Sequence, residues 1–247
     1  MRRKHTDRNS KIEVTLSGMR TTSAKNSRTP VFRPHSGAAA GTLRHGADAH
    51  HVGSARTFDR DYYQRYYFDP RTAVATRAEM RARARLIAAM TQHAGLPVRR
   101  ILEAGCGTGM LRSGLRRLLP RAQYVGLESS AYLCQRFGWE CGRIEQYRTR
   151  TSFDLVICYD VLQYLDAVAA ARALANFGRL CHGVLYFSAL TRHDLKHNAD
   201  PKRTDAAVHL RSAQWYRSRL RRDFREAGLG FWLRRGAPLT LWELETD

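Results

Sequence analysis

Apolar and polar positions follow different rhythms along this chain, and the changes of rhythm divide it. Up to about residue 55, apolar residues are sparse and Ser, Thr, Gly, Ala and His dominate. Such a stretch buries too little to offset the entropy of ordering, so residues 1–55 read as a disordered tail. From Phe58 the pattern tightens, with six aromatics between Phe58 and Phe68. Pro70 then opens an expected helix with Val74, Ala78, Ala82, Leu86 and Met90 at i+4 spacing, ended by Gly95 and Pro97. Beyond it, short apolar runs alternate with helical patterns. Strands are expected at 100–104, 124–127, 139–141, 153–158 and 183–188. Helices are expected around Leu111, Leu115 and Leu118, at 131–137 and at 161–177. An irregular polar stretch (191–210) precedes a helix over 212–227. Strands at 229–234 and 239–244, turning at Gly236-Ala-Pro238, close the chain.

Continuous apolar strands separated by helices imply a parallel sheet covered on both faces. The fold class is therefore α/β: a doubly wound, mostly parallel seven-stranded sheet with an antiparallel C-terminal hairpin strand. The ordered domain spans 56–247, with its core at about 97–190.

Composition narrows this only a little. Hydrophobic residues make up 43% and charged residues 26% of the 247, which excludes disorder throughout. The net charge is +20, yet only five of the 42 basic residues are lysines, and arginines are spread over the whole chain. Basic charge attracts nucleic acid or anionic membranes, but spread so evenly it marks no partner. The first 55 residues carry ten basic and three acidic groups. Met19 is an alternative start, and no apolar run follows Met1-Arg-Arg-Lys4 as a signal peptide would require. No run approaches the ~20 residues of a membrane span. The five cysteines, Cys106, Cys134, Cys141, Cys158 and Cys181, form no Cys-x-x-Cys pair, so free thiols and a cytoplasmic location are expected.

The chemistry concentrates in Ile101-Leu-Glu-Ala-Gly-Cys-Gly-Thr-Gly-Met110. Gly105, Gly107 and Gly109 stand where a strand turns into a helix, so the backbone can take φ > 0 and approach a ligand beside free helix N–H groups. A dinucleotide G-x-G-x-x-G fingerprint would need glycine where Met110 stands, and a phosphate loop would need Gly-Lys-Ser/Thr. Glu128 ends the second strand, in Val-Gly-Leu-Glu-Ser.

Taken in order, these motifs resemble those of the class I S-adenosylmethionine-dependent methyltransferases, over 100–190 closely and 60–245 loosely. The resemblance implies a Rossmann-like methyltransferase fold, S-adenosyl-L-methionine as cofactor, and methyl transfer to an oxygen, nitrogen or carbon acceptor. It implies that Glu128 binds the ribose and that Glu103 faces the methionine end, with Gly105, Cys106, Gly107 and Gly109 forming the loop. Cys141-Gly-Arg-Ile-Glu-Gln-Tyr147 is similar to the loop that meets adenine, which maps to Arg143 and Ile144. Arg143 departs from the family's usual acceptor, having only donors. Phe153 to Leu165 is similar to the fourth strand and its following helix, placing Tyr159 beside the transferring methyl group.

For a general base, His193, Asp194 and Tyr159 are the candidates, with 191–210 as the substrate loop. His193 and His197 form a His-x3-His pair, without the flanking glutamate of a zinc site, and no metal is expected. The aromatic run 62–68 has two open readings, core packing or a lid over the cofactor. The Asn/Asp-Pro-Pro-aromatic motif of base-amino methylation is absent. A small-molecule acceptor is expected, with nucleic acid possible. The rivals are a basic RNA-binding protein that uses this fold as scaffold, and a nicotinamide oxidoreductase.

Overall fold

The computed structural model describes residues 58–239, all within the compact unit Gly53–Asp247. The basic segment 1–55 lies outside the described residues, as does the expected last strand beyond Leu239. The elements run α1 (Arg60–Tyr63), α2 (Arg77–His93), β1 (Arg100–Ala104), α3 (Met110–Leu118) and β2 (Gln123–Glu128). Then come α4 (Ala131–Phe137), β3 (Glu140–Cys141), β4 (Phe153–Tyr159), α5 (Ala167–Leu180) and β5 (Cys181–Ser188). The described chain closes with α6 (Arg192–His197), α7 (Ala213–Leu220), β6 (Phe224–Gly228) and β7 (Phe231–Arg234).

The strands form one seven-stranded sheet in the order β3-β2-β1-β4-β5-β7-β6. The first five pair in parallel, and β7 lies antiparallel between β5 and β6. Period-two alternation splits each central strand between two cores. Leu102, Val156 and Leu185 meet Phe177 of α5 and Leu220 of α7 on one face. Ile101, Leu155 and Val184 meet Ile87 of α2 and Leu115 of α3 on the other. Chain order reverses between β1 and β4, and such switch points are where open α/β sheets leave a crevice at the carboxyl ends of their strands.

Four boundaries differ from expectation, each for a local reason. Pro70 sits in a turn, and α2 begins only after Thr76. Thr76 Oγ accepts from Glu79 N–H while Glu79 Oε2 accepts from Thr76 N–H, a capping box that sets the start. The buried face of α2 is Met80, Ala84, Ile87, Ala88 and Thr91, whereas Leu86 is 40% exposed. A strict i+4 series drifts about 40° per step around a 3.6-residue helix, so the line from Val74 to Met90 is not one face. Leu118 is likewise exposed, and Gly114 packs α3 on α2, where a Cβ would come within 2.6 Å of Ala84 Cβ.

After β4 the chain makes a 3-10 turn (Leu162–Tyr164), and α5 starts behind Asp166, whose side chain accepts from Ala169 N–H. The stretch 191–210 holds the short helix α6, opened by a capping box between Thr191 and Asp194. Finally, the helix expected over 212–227 stops at Leu220. Phe224 lies four residues on and fits a helical pattern, but strand pairing wins. Arg234 Nη1 and Arg235 N–H both donate to the Asp223 carbonyl, and β6 pairs with β7 around Leu229-Gly230, both at positive φ. The C-terminal hairpin is thus 224–234, and the turn at 236–238 follows it.

The assignment of the α2 face is testable by urea unfolding. Ile87→Ala should cost about 2–4 kcal/mol through the cavity it leaves. Leu86→Ala should stay within about 0.5 kcal/mol; equal losses would show that the helix is rotated.

Candidate active site

The glycine turn is built from three positive-φ residues with different duties: Gly105 (70°), Gly107 (53°) and Gly109 (72°). A Cβ on Gly105 would lie 2.4 Å from Val161 Cγ2, and one on Gly109 would lie 2.7 Å from the Trp139 ring. Those two glycines let neighbouring segments close in. A Cβ on Gly107 meets nothing within 4 Å, so its bare backbone faces open space. The turn is stitched to the end of β2, because Gly105 and Cys106 N–H both donate to the Leu127 carbonyl, at 2.8 and 3.2 Å.

Glu128, 4% exposed, anchors the next layer. Its Oε2 accepts from Gly107 N–H at 2.9 Å, and its Oε1 accepts from Ser129 and Ser130 N–H at 2.8 and 2.9 Å. A carboxylate offers about four lone-pair positions, so Oε2 retains capacity for a further donor. Ser130 Oγ in turn donates to the Phe58 carbonyl at 2.5 Å, tying down the aromatic segment.

These parts meet in one pocket of about 510 Å³ including its open mouth. Gly105, Gly107, Glu128 and Ser129 form one side, and Tyr159, Asp160, Val161, Tyr164 and Leu165 after β4 form another. Phe58, Tyr62, Tyr63 and Tyr67 cover it. The cover is a ring cluster across α1 and the π turn that follows it (Gln64–Phe68), with centroids 5.1 Å apart for Phe58–Tyr62 and 5.2 Å for Tyr63–Tyr67. It is joined to the β4 side by a hydrogen bond from Tyr62 to the Tyr164 hydroxyl, 3.1 Å long. The aromatic run therefore lines a pocket as well as packing.

Of the residues singled out in the sequence, Gly105, Gly107, Glu128 and Tyr159 come together at this pocket. Burial raises the Tyr159 hydroxyl well above its ordinary pKa, so it remains a proton donor at neutral pH. The others lie elsewhere. Glu103 is buried and accepts a short hydrogen bond from the Tyr124 hydroxyl. Cys106 is buried behind the turn, and burial pushes its thiol far above the reactive range. Arg143 pairs with Glu145 at 2.6 Å, and Ile144 joins the core beside Leu127. Asp194 caps α6; burial raises its pKa, but donors from Thr191 and Asn198 outweigh that and hold it below the ordinary carboxylate value. His193 is exposed, its ring centroid 4.5 Å from that of His197 and tilted 37° to it, and no group of three metal ligands occurs among the described residues.

Asp160, by contrast, was not singled out, although it directly follows Tyr159 at the carboxyl end of β4. It is a non-glycine residue at φ 54°, a conformation that costs energy and clusters at functional sites. Its Oδ1 accepts from Ser188 Oγ at 3.3 Å.

Residues 102–183 match the family model described as a methyltransferase domain. The match marks a methyltransferase domain within the chain, and the sheet order around it agrees with the resemblance to the class I S-adenosylmethionine-dependent methyltransferases. No curated protein matches it. Among solved structures, it is similar to magnesium protoporphyrin IX methyltransferase (ChlM) from Synechocystis, 17% identical with a TM-score of 0.51, over 75% of this chain and 100% of that one. That likeness bears on the fold. It is also similar to Streptomyces venezuelae DesVI, 19% identical with a TM-score of 0.41, over 53% of this chain and 57% of that one. The chain thus spans little more than half of DesVI. A third is CalS10, an amino pentose methyltransferase from Micromonospora echinaspora, 17% identical with a TM-score of 0.48, over 63% of this chain and 91% of that one.

The residues present fit an adenosyl ligand in this pocket. Gly107 leaves a cradle that a Cβ would fill, and Glu128 presents a buried carboxylate oxygen with spare acceptor capacity.

Glu103 supplies a pH test. Burial is the main cause that raises its pKa from 4.5 to about 8, opposed by the Tyr124 hydroxyl and reinforced by Glu128. Between those values the native state holds a proton that the unfolded chain has released. Stability should therefore fall as pH rises through this window, by up to about 1.4 kcal/mol per unit, and level off above it. Glu103→Gln should remove this component, read as the difference in urea midpoints between pH 5 and pH 8.5. A difference as large as in the parent protein would show that Glu103 is ionised throughout.

Proposed function

We propose that this chain transfers a methyl group from S-adenosylmethionine to a small-molecule acceptor. One observation carries the reading: a single pocket joins the bare backbone of Gly107, the Glu128 carboxylate, the end of β4 and a cover of aromatic rings. Gly107 allows close approach of the ligand, and Glu128 accepts a ribose hydroxyl at Oε2. Tyr159 and Asp160 border the reaction centre, and the rings of Phe58, Tyr62, Tyr63 and Tyr67 exclude water from it. When bound, the cofactor supplies an electrophilic methyl group on a sulfonium, so the protein's own task is alignment, which alone lowers the barrier by several kcal/mol. The aromatic cover suits a small acceptor entering a pocket; a base in a duplex would first have to be turned out of its stack. Glu103, Cys106, Gly109, Arg143 and Ile144 are left to support the fold.

Calorimetric titration of the full chain with S-adenosylmethionine, S-adenosylhomocysteine and NAD tests this. The two adenosyl-sulfur ligands should bind in the micromolar range and NAD should not. Glu128→Ala should weaken them about 10- to 100-fold, the worth of one or two charge-assisted hydrogen bonds. Gly107→Val should abolish binding; its side chain meets no neighbour but is strained at φ 53°, so circular dichroism and the urea midpoint are read alongside to establish that the variant is folded. Normal binding by Gly107→Val would sink the site assignment, and binding of NAD alone would make the protein an oxidoreductase.

A further inference from the structure

The charge of the pocket is opposite to that of the protein. The chain carries 42 basic and 22 acidic residues, yet the pocket wall contains two carboxylates, Glu128 and Asp160, and no lysine, arginine or histidine among the described residues. Its remaining side chains are six aromatics, two aliphatics and one serine. Glu128 is engaged by three backbone N–H groups on the glycine side, which leaves Asp160 as the carboxylate on the β4 side. Tyr159 stands next to it and Tyr164 borders the same wall. Arg83 acts on Asp160 from behind the wall but is itself engaged there. Its guanidinium lies 3.7 Å from the Tyr159 ring centroid and donates to the Tyr186 hydroxyl at 3.1 Å.

From this arrangement we infer that the acceptor is an amine, bound as its ammonium by Asp160 and the surrounding tyrosine rings, and that the Asp160 carboxylate takes up its proton. The inference rests on the methyltransferase reading above and names the substrate class of that same site. An acceptor carboxylate or phosphate would enter beside two carboxyl groups with no basic side chain in the wall to receive it, at a desolvation cost. A neutral alcohol would gain nothing from the rings, whereas an ammonium is attracted by each ring face within about 6 Å. An ammonium has no lone pair, so a proton must leave before methylation. Burial is the largest cause that raises the Asp160 pKa, and Asp194 adds to it; Tyr159, Arg83 and Ser188 oppose them without reversing the direction. The same burial lowers that of an ammonium beside it, which brings proton transfer between the two close to balance. In the balanced step, the nitrogen lone pair forms the N–CH3 bond, the C–S bond breaks with its electron pair going to sulfur, and the displaced proton rests on Asp160.

The test is binding to the full chain saturated with S-adenosylhomocysteine, using three probes of one skeleton: phenethylamine, 2-phenylethanol and phenylacetate. The amine should bind at least about 10-fold tighter than the other two. Asp160→Asn should erase that preference while leaving S-adenosylhomocysteine affinity unchanged. Asparagine tolerates the left-handed backbone at 160 and can accept from Ser188, and Asp160→Gly, which also suits φ 54°, provides a second variant. No preference for the amine, including no binding by any probe, overturns the inference, as does a preference that survives both variants. A loss of S-adenosylmethionine affinity in Asp160→Asn, with S-adenosylhomocysteine unaffected, would show that Asp160 serves the sulfonium instead and would also overturn it. Failure of S-adenosylhomocysteine to bind the parent protein is a separate result that removes the methyltransferase reading itself.

Discussion

The Glu128 carboxylate is the junction on which the site depends. It gathers N–H donors from Gly107 on one side and from Ser129 and Ser130 on the other, so one buried charge holds the glycine turn against the start of α4. Ser130 then fixes Phe58, and with it the ring cluster that covers the pocket. A buried carboxylate is tolerable only when hydrogen-bonded. Here the bonds that satisfy it are the same ones that shape the cradle. The Glu128 carboxylate is thus part of the architecture as well as of the pocket wall.

Arginine serves this protein largely as a structural side chain. Arg211, 7% exposed, donates to the carbonyls of Leu162, Leu165 and His209 and to the Tyr216 hydroxyl. It thereby fastens the turn after β4, which bears Tyr164 and Leu165 of the pocket wall, to the segment ahead of α7. Arg217 and Arg221 both reach Glu226, and Arg219 lies 3.8 Å from the Trp215 ring centroid. Five donors in a planar fork suit arginine to such carbonyl and ring contacts. A large positive net charge therefore coexists with a pocket whose wall is acidic and aromatic, and the sum over the chain is a poor guide to what the protein binds.

The resemblance of the chain to a methyltransferase family and the polarity of its pocket rest on different parts of the sequence. The parallel strands, the glycine turn and the acid closing β2 form a scaffold shared with enzymes of many acceptors. The polarity of the pocket is set after β4 and ahead of α2, by Asp160, Tyr164 and the tyrosines Tyr62, Tyr63 and Tyr67. No helix among the described residues is long and apolar enough to cross a membrane.

Much of this was legible from the sequence alone. Contiguous apolar runs marked β1, β2, β4 and β5, because strands buried on both faces need no partner to declare themselves. Gly105, Gly107 and Glu128 were legible because their spacing reports a backbone conformation and a strand end, both local properties. Tertiary structure decided the rest. Phe224 fits a helix after Leu220 as well as it fits a strand, and only pairing with β7 resolves it. Glu103 and Glu128 are equally plausible as ligand acids in one dimension, but the partner that sets each apart, the Tyr124 hydroxyl for one and the Gly107 amide for the other, comes from a neighbouring segment. Asp160 gave no signal beyond its position, since its significance lies in which side chains, twenty-eight to a hundred residues away, are folded around it. Local pattern determines elements; the electrostatics of a pocket is a sum over residues that only packing brings together.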